Sequence, residues 1–290
     1  MDAATASLQA DALRALHVPG RPLVLPNAWD AVSARAVQAA GFPAVATASA
    51  AIAASLGYED GEQMPVDELF AAVARIARSV EVPVTADIES GYGCPPEELV
   101  ARLLAAGAVG CNLEDTDHRA GGLIDASRQA DRLAAFREAA VESGVSIVLN
   151  ARVDVYAHDE SILDASVKNA VVPGGQLDGE QSGNTTAAMA KRERARLEQA
   201  VRRGRLYAAA GADCIYPILV TDDATITALV HGIGAPINIY AQPSAPALPR
   251  LAALGVARVS YGPWIQRLAA RATQSILARI RTGESPYDSR

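Results

Sequence analysis

A (β/α)8 barrel is the fold that this 290-residue sequence predicts. Two observations point to it. Short apolar runs rich in Val and Ile recur eight times, and segments of helical period and composition lie between them. A third observation weighs against a doubly wound open sheet: no GxGxxG follows the first run, and eight units in roughly 250 residues are barrel-sized.

The first strand is "LVLPN" (23–27), and Asp30 beyond it reads as the cap of the helix in "DAVSARAVQAAG". "AVATAS" (44–49) is the second, and "PVTADIE" (83–89) the third, after the helical "VDELFAAVARIARSV". "GCNLED" (110–115) and "SIVLNARV" (146–153) follow the helical "PEELVARLLAAG" and "SRQADRLAAFREAAVESG". "CIYPIL" (214–219), "PINIYA" (236–241) and "ARVSYG" (257–262) complete the eight. Gly41, Gly107, Gly144 and Gly211 close helices just before a strand, where a left-handed cap belongs. The expectation is one barrel domain over 1–290, interrupted at about 157–190 by a Gly-, Ser-, Asn- and Thr-bearing insertion that reads equally as a lid or a surface loop.

Half the residues are hydrophobic and only 4% aromatic, which favours helices close-packed on small side chains. The net charge of -7, with signs interspersed, argues against a nucleic-acid surface, and the mixed charges of "KRERARLEQAVRRGR" read as a solvated helix face. No signal peptide and no membrane span are expected. Cys94, Cys111 and Cys214 show no CxxC spacing, which fits a reducing cytoplasm. His17, His158 and His231 lack partner spacing and read as packing or surface residues.

In a barrel the active site occupies the C-terminal strand ends, so the polar residues closing each run carry the functional reading. Asp87 and Glu89 end the third strand and Glu114 the fourth. On an extended strand i and i+2 face the same way, so paired carboxylates call for a cation or a proton between them. The three acids are hard oxygen ligands of the kind Mg2+ prefers; a structural ion pair is the plainer alternative. Arg152 ends the fifth strand and suits bidentate capture of a carboxylate, or else a barrel-closing ion pair.

"DIESGYG" resembles the Asp-x-Asp-x-Gly-Tyr-Gly signature of the isocitrate lyase/phosphoenolpyruvate mutase superfamily, with Glu89 in place of the second aspartate. "NAWDAVSARAVQAAGF", "SAAIAASLGYEDGE", "CNLEDT", "ARVDVY", "GADCIYPI" and "PINIY" resemble further family blocks in the same order. The resemblance implies a (β/α)8 barrel, commonly with the C-terminal helix exchanged in a homodimer or homotetramer. It also implies Mg2+, or Mn2+ in its place, and a small anionic carboxylate substrate. Asp87 would touch the metal, with Glu89 and Glu114 acting through water. Arg152, Ser49, Ala50 and Asn238 would contact the substrate, and Asp60 would lie near a metal water.

The sequence departs from the lyase branch in one respect. The Lys-Lys/Arg-Cys-Gly-His loop of the 2-methylisocitrate lyase-like enzymes is here "EDTDHRAGGLID", without cysteine, which leaves His118 and Arg119 as the loop's polar candidates. The expected activity is a Mg2+-dependent lyase of a small 2-oxo or 2-hydroxy di- or tricarboxylate. The alternatives are a phosphonopyruvate-type mutase or hydrolase and a non-catalytic carboxylate-binding barrel.

Overall fold

The computed structural model describes residues 1–158 and 181–287, apart from the side chains of 181–188. Most of the expected 157–190 insertion, residues 159–180, lies outside the described residues.

The barrel wall begins with β1 (Leu23–Leu25) and β2 (Asn27–Ala28), two pieces of one strand parted by Pro26, which has no N–H to give a ladder. It continues through β3 (Val45–Thr47), β4 (Val84–Asp87), β5 (Gly110–Glu114), β6 (Val148–Val153), β7 (Cys214–Pro217), β8 (Asn238–Tyr240) and β9 (Arg258–Ser260). All pairings between these strands are parallel, in the orders β2-β3-β4-β5-β6-β7 and β1-β9-β8. A parallel bridge between Ile215 and Ile237 joins β7 to β8, and the split first strand joins the two sheets at the other seam, so the ring closes as a (β/α)8 barrel. Asn27 clasps that seam. Its Nδ2 donates to Thr47 O at 2.7 Å, and its Oδ1 accepts from the Tyr261 and Gly262 amides at 2.7 and 2.9 Å.

Helices α1 (Ala3–Ala15), α2 (Ala31–Ala39), α3 (Ser49–Leu56), α4 (Val66–Ala77), α5 (Pro96–Ala106), α6 (Ala126–Glu142), α7 (Gln181–Ala209), α8 (Asp223–Ile233), α9 (Leu248–Ala253) and α10 (Trp264–Arg281) are the helices of the described residues. Asp30 caps α2 as expected, in a reciprocal capping box with Ser33. The apolar faces of α4, α5 and α6 bury Leu69, Val73, Leu103, Leu133 and Phe136 in the shell between helices and strands. No residue of α10 is buried; Leu268, Ile276, Leu277 and Ile280 along it are exposed. No helix of the described residues is long and apolar enough to cross a membrane.

Helix α1 plugs the N-terminal end of the barrel. Leu13 packs so closely on Gly110 that a Cβ there would fall 2.8 Å from its Cδ2, and Arg14 reaches Asp213 at 2.8 Å. Beneath the barrel interior sits His17, with Nδ1 2.9 Å from Leu13 O and Nε2 buried without a partner. Burial, then the nearby Arg258 guanidinium, push His17 down to about 4 from 6.5. The unfolded chain therefore takes up a proton at His17 through a window in which the folded chain refuses it. This contribution to stability is complete above pH 6.5 and is lost as pH falls towards 4, by about 3 kcal/mol. Urea titrations at pH 7 and pH 4.5 are expected to show a smaller loss for His17→Gln than for the native chain.

Candidate active site

Strand β3 runs into α3 at Ser49, so the first turn of that helix points its free amides at the neighbouring strand end. Asp87, the last residue of β4, accepts there: Oδ2 takes the Ser49 amide at 3.2 Å and the Ser49 hydroxyl at 2.9 Å. The Asp87 amide in turn donates to Thr47 Oγ1 at 2.9 Å. Oδ1 of Asp87 is buried and has no partner among the described residues.

Glu89 goes elsewhere. The strand ends at Asp87, and Glu89 stands at φ 51° in the left-handed region, so the same-face rule for i and i+2 does not apply to it. Its carboxylate accepts from the Glu62 amide at 2.5 Å and from the Tyr92 hydroxyl, and lies 4.0 Å from His118 Nε2. The glycines after it allow this turn. At Gly91, with φ 87°, a Cβ would lie 2.6 Å from the Arg132 guanidinium and 2.9 Å from Leu99.

Glu114 and Arg152 are register partners on β5 and β6, and their side chains meet with Arg152 Nη1 2.6 Å from Glu114 Oε2. Asp154, two residues on, takes the other edge of the guanidinium at 2.6 and 2.8 Å. His118 Nε2 lies 2.5 Å from the second oxygen of Glu114. Burial pushes Glu114 up to about 8 despite Arg152 and His118, and the bond to Glu114 raises His118 above its ordinary value.

Ser49, Ala50, Asp60, Asp87 and Arg152 come together around a cavity of about 290 Å³ at the barrel mouth. Burial, with Asp87 close by, raises the Asp60 carboxyl above the usual range. His118 instead lines a neighbouring hollow with Arg119, Arg128 and Arg132. Asn238 is fully buried and hydrogen-bonded to Ser260 Oγ at 3.3 Å; Ser260, not Asn238, reaches the mouth. Sequence reasoning missed Asn112, Tyr240, Trp264 and Arg267, which line it too. Arg267, stacked over Trp264 at 5.3 Å, makes no ion pair with a described acid, whereas Arg152 is paired with Glu114 and Asp154. The alternation of β5 could have revealed Asn112, two residues before Glu114; no local pattern marks Arg267.

Asp87, Glu89 and Glu114 do not form one cluster of direct ligands; the expected arrangement has Asp87 on the metal and the other two acting through water. Among the described residues no group of three or more His, Cys, Asp or Glu side chains is placed to hold a metal ion. The cause is the left-handed turn at Glu89 and the ion pair that engages Glu114. Asp87 fits a hard divalent cation by itself: it lines the mouth, its Oδ1 is a buried anionic oxygen without a partner among the described residues, and water or substrate oxygens would fill the other positions.

Behind the clamp, Asp115 is fully buried and accepts from Arg203 at 2.8 Å, Tyr207 at 2.7 Å and the Asp154 amide at 2.8 Å. The Asp154 that grips Arg152 is thus held in place from α7.

The barrel thus gathers an anchored aspartate, Asp87, a second aspartate, Asp60, and a clamped arginine, Arg152, around one mouth. The family model described as phosphoenolpyruvate phosphomutase matches residues 13–281. The chain is 27% identical over 288 residues to the oxaloacetate decarboxylase of Ectopseudomonas mendocina, covering 96% of this chain and 86% of that one. It superposes with a TM-score of 0.78 on a Burkholderia cenocepacia J2315 protein provisionally described as a phosphonomutase, at 36% identity over 96% of this chain and 99% of the other. A phosphonopyruvate hydrolase solved with oxalate and Mg2+ matches at a TM-score of 0.72 and 25% identity, over 95% and 87% of the two chains. The chain belongs to the phosphoenolpyruvate phosphomutase family.

Removing Arg203 leaves Asp115 buried without its counter-charge. Arg203→Met is expected to cost about 3–5 kcal/mol in chemical denaturation, and adding Asp115→Asn to recover a large part of that loss. Additive losses would show that the two side chains do not act as a pair.

Proposed function

We propose that the chain is a divalent-metal-dependent lyase of small 2-oxo or 2-hydroxy di- or tricarboxylates, cleaving a carbon–carbon bond or decarboxylating the acid. The observation that carries this reading is the mouth, where Asp87 with one unpartnered oxygen, Asp60 and Arg152 line one cavity. Mg2+, or Mn2+, held by Asp87 would supply Lewis-acid withdrawal of charge from the substrate's 2-oxygen. Ser49 fixes the Asp87 carboxylate through Oδ2 and leaves Oδ1 without a partner among the described residues. Arg152, kept rigid by Glu114 and Asp154, orients a substrate carboxylate in the cavity. Arg267, free of acid partners among the described residues, suits a second anionic group at the rim.

Bond cleavage leaves an electron pair on carbon that must take up a proton. Asp60 is the donor we assign, because it lines the mouth beside Asp87 and its carboxyl is raised above the usual range. Cysteine chemistry has no support: Cys111 and Cys214 are buried with their thiols pushed up to about 12, and Cys94 faces the neighbouring hollow. The likeness to the phosphonomutase-type protein and to phosphonopyruvate hydrolase favours a second reading, a carbon–phosphorus mutase or hydrolase at the same mouth. A homo-oligomer formed through the uncovered apolar side chains of α10 belongs to the same proposal.

Purified protein with Mg2+ is expected to release pyruvate from oxaloacetate or from a longer 2-hydroxy acid, and not phosphate from phosphonopyruvate. Asp60→Asn is expected to lower kcat at least a hundredfold with KM little changed. Phosphate release with no pyruvate from the carboxylic acids would favour the second reading; no turnover of any acid would favour a binding protein. Light scattering is expected to give a dimer or tetramer for the full chain and a smaller species after Leu268→Glu with Leu277→Glu.

A further inference from the structure

Arg258, on β9, is a fully buried guanidinium that takes no part in holding either the cation or the clamp. Its Nη2 donates to Asn112 Oδ1 at 3.1 Å, while Nε and Nη1 are buried without partners among the described residues. The same Asn112 oxygen accepts from Asn150 Nδ2 at 2.7 Å. A guanidinium has only donors, so this contact can be satisfied by the amide oxygen and never by the amide nitrogen. Two donors converging on Oδ1 therefore hold the Asn112 amide one way round.

The nitrogen is thereby turned away from Arg258. It donates to no described residue, it is not among the buried atoms that lack a partner, and Asn112 lines the mouth while 6% exposed. Asn112 Nδ2 thus opens on the cavity, across the β4–β5 ladder from Asp87, its register partner. Beneath it the Arg258 charge is removed from water, where its attraction for an anion is least screened. Asp87 is the carboxylate of the mouth that feels this charge, together with Tyr216, Cys111 and Cys214 around it and His17 below.

We propose that the floor of the mouth is an oxyanion subsite, in which Asn112 Nδ2 donates to a carboxylate or 2-oxo oxygen of the ligand and Arg258 is the positioning residue that fixes that donor. The subsite rests on the reading of the mouth as the site of a small acid. It selects a ligand that turns an acceptor oxygen, not a methyl or ammonium group, towards the barrel interior.

Oxalate is the probe, titrated calorimetrically in saturating Mg2+ against the full chain. Asn112→Asp keeps an acceptor for both Arg258 and Asn150, so the fold is expected to persist, but it replaces the cavity-facing donor with an acceptor. Oxalate binding is expected to weaken at least tenfold in Asn112→Asp and in Asn112→Ala, with Mn2+ affinity, read by electron paramagnetic resonance without oxalate, within twofold of native. Arg258→Met is expected to weaken oxalate similarly and Arg258→Lys to restore part of the loss. Oxalate affinity within twofold of native in both Asn112 variants overturns the subsite while leaving the reading of the mouth intact. Native protein that binds no oxalate with Mg2+ overturns both. Should Asn112→Asp fail to fold, Asn112→Ala decides alone.

Discussion

The ion pair between Arg152 and Glu114 is the interaction on which the rest of the mouth depends. Both side chains sit inside the barrel wall, where a lone charge would cost several kcal/mol, and the Arg152 charge is held there by Glu114 and Asp154 together. Asp154 completes the clamp on the far edge of the guanidinium, and Asp115, Arg203 and Tyr207 hold Asp154 in turn. The result is a rigid positive face at the cavity, built from strands β5 and β6 and fixed from helix α7. Catalysis of small acids gains from such rigidity, since a pre-oriented arginine need not be ordered when the substrate arrives.

The same ion pair explains why Glu114 is not turned towards a cation. Glu114 is bonded to Arg152 through one oxygen and to His118 through the other. Glu89 is engaged in the same way by Tyr92 and the Glu62 amide. Asp87 alone keeps an oxygen uncommitted, held out by Ser49 at the start of α3. Cys111 and Cys214 do not line the mouth; Asp60, on the loop after α3, does, with its carboxyl raised above the usual range.

Much of this was legible in the sequence. The alternation of apolar runs and helical segments gives the eight strands, and Asp30 acts as the helix cap its position suggests. Ser49, Asp60, Asp87 and Arg152 meet at one mouth because a barrel brings strand ends together, a constraint that follows from fold class alone. What stayed hidden has physical causes. The same-face rule assumes an extended backbone, and Glu89 departs from it with a positive φ that only the following glycines hint at. Arg258 reads as an ordinary strand arginine until the closed ring shows it inside, and Arg267 reaches the mouth only because α10 starts at the rim.

The central claim is that Asp87 by itself, and not an array of three acids, is the protein's direct hold on a divalent cation. Mn2+ binding measured by electron paramagnetic resonance on Asp87→Asn, Glu89→Gln and Glu114→Gln tests it most directly. The account predicts that Mn2+ is lost in Asp87→Asn and bound within a few-fold of native in Glu89→Gln. Equal loss in Asp87→Asn and Glu89→Gln, or retention in Asp87→Asn, would contradict it.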